Sequence, residues 1–333
     1  MNYDVIIATY NGEKYVIEQL ESIVNQTIKP TNIYIRDDGS QDNTIKILES
    51  FKNACNVNIE IISGQGNLGY IKNFEKLVGY TVSEIVFFSD QDDIWTENKA
   101  ALMLCHFENE KVNVNFSDAY LINDKKEILG GLWDYVRHTS KLDEINLDKI
   151  IINNIVTGAT LAVRRNFLIG LLPFPDSIPH DHWIAANAVA SNCLSSCVDK
   201  LVLYRQHDNN QIGATKTTLS IKLKRLFNRQ KFNKRLGYYI QIHLLLENLV
   251  KREVLVKKDP IYININEFIS NMNVIYNGRI SADLSVKYLR CSIFIIIFKR
   301  NYFEFKTIKS LFTDFIDAIF VRTIFKKTNI NHN

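Results

Sequence analysis

The sequence predicts an α/β fold: a mostly parallel sheet with helices on both faces, followed by a mainly helical C-terminal appendage. Three observations predict it. Strand-like apolar runs alternate with helix-period segments four times within residues 3–107, and parallel strands need such crossovers. Three more apolar runs between residues 113 and 206 are placed to extend the same sheet. Beyond residue 213 the texture changes to long Lys/Phe/Ile/Leu mixtures with few Gly or Pro. The boundary is therefore drawn at residues 1–213 and 214–333.

Residues 3–10 (YDVIIATY) read as the first strand, and 13–27 place Val16, Leu20, Ile23 and Val24 at helical spacing. The unit repeats as NIYIRDDGS with QDNTIKILESF, VNIEIIS with LGYIKNFEKLVGY, and EIVFFSDQDD with ENKAALMLCHF. NVNFSDAYLI, GATLAVRR and SCVDKLVLYRQ follow as sheet extensions, and DHWIAANAVAS as a further helix. The most apolar later stretch, CSIFIIIF at 291–298, is far shorter than the roughly 20 residues that cross a bilayer.

With 46% hydrophobic and 23% charged residues, the 333-residue chain has the balance of a globular protein. Its first residues lack a basic n-region and a small-residue cleavage site, so they read as a strand and not a signal peptide, and the protein is expected in the cytoplasm. Cysteines at 55, 105, 193, 197 and 291 are odd in number and scattered, which suits free thiols. The net charge of +4 is uneven: residues 214–235 hold eight Lys/Arg and no acid, which leaves −4 for the rest.

Acids stand where the second and fourth strands end: Asp37 and Asp38 in RDDGS, and Asp90, Asp92 and Asp93 in SDQDDIW. Ligands of an open α/β sheet sit beyond the carboxyl ends of its strands, so both clusters face one crevice. Grouped carboxylates call for a cation, and Mg²⁺ or Mn²⁺ takes one or two carboxylates together with phosphate oxygens, which implies a diphosphate ligand. The competing reading makes these acids helix caps and turn formers, and it is preferred for Asp42 and Asp93. No G-x-G-x-x-G follows the first strand and no G-x-x-x-x-G-K-[ST] occurs, so dinucleotide-dependent dehydrogenases and P-loop NTPases lose support.

The segments VIIATYNGEKYVIEQLESIVNQT, IYIRDDGSQDNT, GNLGYIKNFEKL and FFSDQDDIW, in this order, resemble the family 2 glycosyltransferases with the GT-A (Rossmann-like) fold. The form SDQDDIW is similar to the bacterial rhamnosyltransferase branch. The resemblance covers about residues 3–213. It implies that Ala8, Thr9 and Tyr10 line a pocket for uracil or thymine, with Asp38 on the pyrimidine and Lys72 or Asn73 nearby. It further implies that Asp90 approaches the ribose and that Asp92, the last acid of the D-x-D, holds the Mg²⁺ or Mn²⁺ bridging the diphosphate. The segment YRQHDNNQIG resembles one that folds over the diphosphate, with Arg205 as a phosphate contact and His207 as a further metal ligand.

An inverting transfer needs a carboxylate across the sugar from the leaving group to take the acceptor's proton. Asp181, in IPHDHWIAANA, stands where the family carries this base; capping the helix it precedes is compatible with that role. The family more often has Glu-Asp here, so His180 is a departure, and the His180/His182 pair lacks further ligands for a zinc site. Trp183 either stacks on the acceptor sugar or packs beneath the helix. Thr157 and Gly158 border the acceptor side, or Gly158 marks a bulge.

The resulting expectation is a metal-dependent, inverting glycosyltransferase. It moves L-rhamnose from dTDP-L-rhamnose to a hydroxyl of a bacterial surface-polysaccharide, lipid-linked intermediate. The alternative is the same fold using a UDP-hexose. A non-catalytic sugar-nucleotide or glycan-binding module is the competing class. The basic stretch with Leu223, Leu226, Phe227 and Phe232 suits peripheral contact with an anionic membrane surface, and no nucleic-acid recognition module accompanies it.

Overall fold

The computed structural model describes residues 1–62, 64, 66–136, 145–206 and 229–266. Two compact units divide the chain, Met1–Ala214 and Thr215–Asn333. In the first, β1 (Tyr3–Thr9), β2 (Asn32–Asp37), β3 (Asn58–Ile62) and β4 (Ile85–Ser89) form a parallel block ordered β3-β2-β1-β4. Their crossovers are α1 (Val16–Val24), α2 (Thr44–Ala54) and α3 (Tyr70–Val78). Each helix seats an apolar face on the sheet: α1 buries Val16, Leu20 and Ile23, and α3 buries Phe74, Leu77 and Val78. Every residue of β4 is buried, and each large apolar side chain there contributes about 1.5–3 kcal/mol by leaving water.

The second half of the sheet departs from expectation. β5 (Ile94–Trp95) and α4 (Lys99–His106) lead into β6 (Val114–Ile122), β7 (Ile128–Gly131), β8 (Leu161–Arg164) and β9 (Leu194–Arg205). The three later runs do join the sheet, in the order β4-β8-β6-β9-β5, with β7 beside β6. However, β8 runs antiparallel to both β4 and β6, β5 is antiparallel to β9, and β7 to β6, while β6 and β9 are parallel. The sheet is mixed, not mostly parallel. The reason is topological: β8 enters between β4 and β6 from a long excursion through α5 (Leu132–Val136) and α6 (Leu147–Ile152), not from a crossover helix that restores direction. After β8 come α7 (Arg165–Gly170) and α8 (His180–Ala190).

In the second unit, α9 (Arg229–Lys251) buries Ile242, Leu245, Leu246 and Leu249 at helical spacing. Among the described residues no helix is long and apolar enough to cross a membrane, and Cys55, Cys105, Cys193 and Cys197 are free thiols.

Candidate functional site

Strand β1 lies between β2 and β4, so the two acid clusters flank the end of β1 at the point where strand order reverses. Their environments differ. At the end of β2, Asp37 Oδ1 accepts from Thr9 Oγ1 (2.9 Å) and Ser40 Oγ (2.5 Å), and Oδ2 from the Gly39 and Ser40 N–H groups (3.0 and 2.7 Å). Asp38 is buried and ion-paired with Arg36 (2.8 Å), and accepts from the Leu68 and Gly69 N–H groups (both 2.8 Å). Arg36 is held in turn by Asn73, whose Oδ1 accepts from Nη1 and whose amide donates to the Arg36 carbonyl (3.1 Å). This first cluster braces the loop before α3.

At the end of β4, Asp90 and Asp93 have fewer partners. No group among the described residues donates to the Asp90 carboxylate; burial, and then the charges of Asp92 and Asp181, raise its pKa to about 7, with Lys99 opposing. Between the D-x-D acids, Gln91 bridges to β1: its Oε1 accepts from the Tyr10 N–H (2.8 Å) and its Nε2 donates to the Tyr10 carbonyl (3.0 Å). Gly12 makes room for it, since a Cβ there would lie 2.3 Å from Gln91 Oε1. Asp93 is buried, accepts the Arg205 N–H (3.0 Å) through Oδ1, and leaves Oδ2 without a partner; burial and then its acidic neighbours push its pKa well up. It therefore precedes a short strand and caps no helix. Asp42 does form a turn, accepting from the Thr44 N–H (3.0 Å).

Asp181 lies in the first turn of α8. Its Oδ2 accepts the Gly158 N–H (3.2 Å) and its Oδ1 the His182 N–H (2.6 Å), while burial raises its pKa to about 6 against those bonds. Its charge is felt at Asp90, and both acids act on Tyr70, whose hydroxyl is pushed up to about 12 by burial and then by Asp181 and Asp90. Asp90, Asp181 and the Tyr70 hydroxyl are thus linked electrostatically. Buried Tyr204 on β9 feels the same acids: burial first, then Asp93, Asp90, Asp92 and Asp181, raise its hydroxyl well above the usual range.

The His180 ring stacks on Phe88 (5.1 Å between centroids, 11° between planes) and meets Phe74 (4.5 Å) and Tyr70 (6.0 Å). Burial keeps it neutral, with a pKa lowered to about 3. A Cβ on Gly158 would sit 2.8 Å from its Nε2, so the missing side chain at 158 admits the imidazole, and the 157–160 segment is a 3-10 turn and not a bulge. The His182 ring bonds instead to the Ile150 carbonyl (2.8 Å), so the two histidines do not converge.

Several nominated residues are engaged elsewhere. Lys72 gives its ammonium to Glu75 (2.9 Å), Asp176 (2.9 Å) and the Phe174 carbonyl (3.0 Å), because two acids outcompete the crevice for it. Asn73 is buried behind Arg36 and does not line a pocket. Arg205 is buried, paired with Glu18, donates to the Asp92 carbonyl (2.9 Å) and stacks on Tyr15 (4.6 Å); it clamps the acid turn and is not presented as a phosphate contact. Trp183 is 1% exposed and its indole N–H donates to the Leu171 carbonyl (3.1 Å), so it packs beneath the helix and does not stack on an acceptor. Ala8 is partly buried, Thr9 buried and Tyr10 exposed at the mouth; Thr157 is buried beside Gly158. His207, the loop that follows it and residues 214–228 of the basic stretch lie outside the described residues.

Gln91, Tyr70, Tyr204 and Lys99 belong to this site without having been singled out by sequence. Gln91 lies inside the D-x-D and was legible by position. The others sit in ordinary helix and strand patterns with no separate signal.

Among the described residues no group of three or more His, Cys, Asp or Glu is arranged to hold a metal ion. The acids at the end of β4 nonetheless fit a hard divalent cation: Asp90 and Asp92 repel each other, and such an ion uses one or two carboxylates beside diphosphate oxygens.

Residues 4–170 match the family described as Glycosyl transferase family 2. The dTDP-rhamnosyl transferase RfbG of Shigella flexneri is 31% identical over 236 residues, 66% of this chain and 78% of that protein. The UDP-Glc:alpha-D-GlcNAc-diphosphoundecaprenol beta-1,3-glucosyltransferase WfaP of Escherichia coli is 30% identical over 181 residues, 54% of this chain and 68% of that protein. Among solved structures, that of S. aureus TarS 1-349 in complex with UDP-GlcNAc superposes with a TM-score of 0.58 over 98% of this chain and 92% of that one; at 17% identity it shows the fold alone. The match over residues 4–170, on an α/β fold with its acids at the strand ends, makes this chain a member of glycosyltransferase family 2, using a sugar nucleotide and acting on a glycan acceptor.

Proposed function

We propose that the chain transfers a hexose from a UDP-sugar, with inversion, to a hydroxyl of a lipid-linked intermediate of a bacterial surface polysaccharide. The observation that carries the chemistry is a pair of carboxylates: Asp90 at the end of β4, to which no described group donates, and Asp181 at the start of α8, oriented by the Gly158 and His182 N–H groups, whose charge helps raise the pKa of Asp90. Asp181, raised to about 6 and oriented by two backbone N–H groups, takes the proton of the attacking hydroxyl. Asp90 faces the ribose of the donor, and Asp92 would hold Mg²⁺ or Mn²⁺. When bound, such an ion neutralises charge developing on the leaving nucleoside diphosphate. Ala8 and Tyr10 line the nucleoside pocket. Asp38 shapes its wall through the Leu68 and Gly69 N–H groups.

The donor choice is supported by the names of two relatives, WfaP and WfgD of Escherichia coli, both of which act with UDP-Glc on a diphosphoundecaprenol-linked sugar. The second reading, dTDP-L-rhamnose, is supported by the similarity to RfbG. The eight basic residues of 214–235 support peripheral contact with anionic lipid at the cytoplasmic face, where a lipid-linked acceptor would be met.

The test is a donor screen of the purified protein with a lipid-diphosphate-linked saccharide, with and without Mn²⁺ or Mg²⁺. Transfer is expected from UDP-glucose or UDP-galactose, only with metal, and with inverted anomeric configuration. Transfer from dTDP-rhamnose alone would select the second reading, and metal-independent turnover would remove Asp92 from its role.

A further inference from the structure

Among the described residues, Lys99 is a lysine with no exposed surface, at the start of α4. Burial lowers its pKa well below the ordinary lysine value, while the charges of Asp93 and Asp90 favour the ammonium. A lysine so placed costs several kcal/mol in lost hydration that an apolar side chain of the same length would not. Its contacts indicate what it does instead. Nζ lies 3.8 Å from the ring centroid of Trp95, the residue that closes the acid turn, and donates to the Ala159 carbonyl at 2.8 Å. Ala159 is the centre of the 3-10 turn Gly158–Thr160, whose first N–H donates to Asp181.

We infer that Lys99 is a positioning residue for the transfer: it ties the turn that orients Asp181 to the acid turn after β4, so that the proton acceptor and the donor-binding acids keep a fixed spacing. Residue 99 touches neither reacting sugar. It acts through the Ala159 carbonyl, and through it the Gly158 N–H. The inference rests on the reading of Asp181 as the general base.

Two variants test it. Lys99→Met keeps the length and removes the donor; Lys99→Gln keeps an N–H donor without the charge. Thermal unfolding and UDP-binding stoichiometry set the active fraction of each. For Lys99→Met, kcat is expected to fall about 10–100-fold, the size seen when outer partners of a site are removed, with donor KM and UDP affinity within about twofold of wild type. Lys99→Gln is expected to recover most of that loss. An unchanged kcat in Lys99→Met overturns the inference, as do loss of nucleotide binding in step with turnover, a Gln variant no better than Met, or failure of both variants to fold. Asp181→Asn protein that still transfers at the wild-type rate would instead sink the Asp181 reading, so the two failures are distinguishable.

Discussion

The acids after β2 and the acids after β4 look alike in sequence and stand on either side of β1, yet they do opposite work. Asp37 and Asp38 are saturated: four donors reach the first, and an arginine and two backbone N–H groups reach the second. Asp90 receives no donor among the described residues, and Asp93 keeps a buried oxygen unpaired. A carboxylate whose partners are all protein groups stabilises the fold. One held against its neighbours' repulsion favours a cation or a proton beside it.

The largest effect is expected at Asp181, whose oxygens accept two backbone N–H groups while burial still raises its pKa to about 6. Asp181→Asn keeps an acceptor for the Gly158 N–H and removes the base, so turnover should fall by roughly 10²–10⁴ with nucleotide binding retained. Single-turnover rates and UDP titration check it; a variant that still transfers at the wild-type rate would place the base elsewhere.

Next in size is Asp38→Asn. It strands the buried Arg36 guanidinium beside Asn73 and should destabilise the chain by roughly 3 kcal/mol, the lower part of the range for breaking a buried ion pair. Denaturant unfolding measures it. If Asp38 were as loosely held as Asp90, the midpoint would hardly move.

How much of this contrast was legible in the sequence follows from what each signal depends on. Strand and helix periods, and acids ending apolar strands, are local, so β1–β4 with their helices and the positions of Asp90 and Asp92 could be read. Strand direction is not local: the apolar run that became β8 carries the same period either way, yet it pairs antiparallel to β4. Partner choice is not local either. Lys72 looked available to the base pocket and Arg205 to a phosphate, and they are held by Glu75 with Asp176 and by Glu18.

Asp90→Asn should move stability in the opposite direction from Asp38→Asn. The folded pKa of Asp90, about 7, lies above the unfolded value near 3.9, so the folded state binds the extra proton between about pH 4 and pH 7. The stability this confers is present at the acid end and lost as pH rises through 7. Without metal, the wild-type chain should therefore melt at lower temperature at pH 8 than at pH 5. Asp90→Asn, having no charge to desolvate, should melt higher than wild type at pH 8, by about 2–4 °C for each kcal/mol relieved, and converge with it near pH 4. Parallel melting curves for the two proteins across this range would mean that Asp90 is compensated after all.

The smallest expected effect lies two residues from Asp181, where α8 carries both kinds of group on one turn. Trp183 has its indole N–H on the Leu171 carbonyl and its ring in the core. Trp183→Phe removes this hydrogen bond, a cost of about 0.5–1.5 kcal/mol, and leaves a small gap where the larger ring stood. Because the ring is sealed from solvent, acceptor KM should stay at its wild-type value while the unfolding midpoint falls. The opposite pattern, a raised acceptor KM with unchanged stability, would require the indole to reach the crevice and would erase the distinction between satisfied and poised groups on this helix.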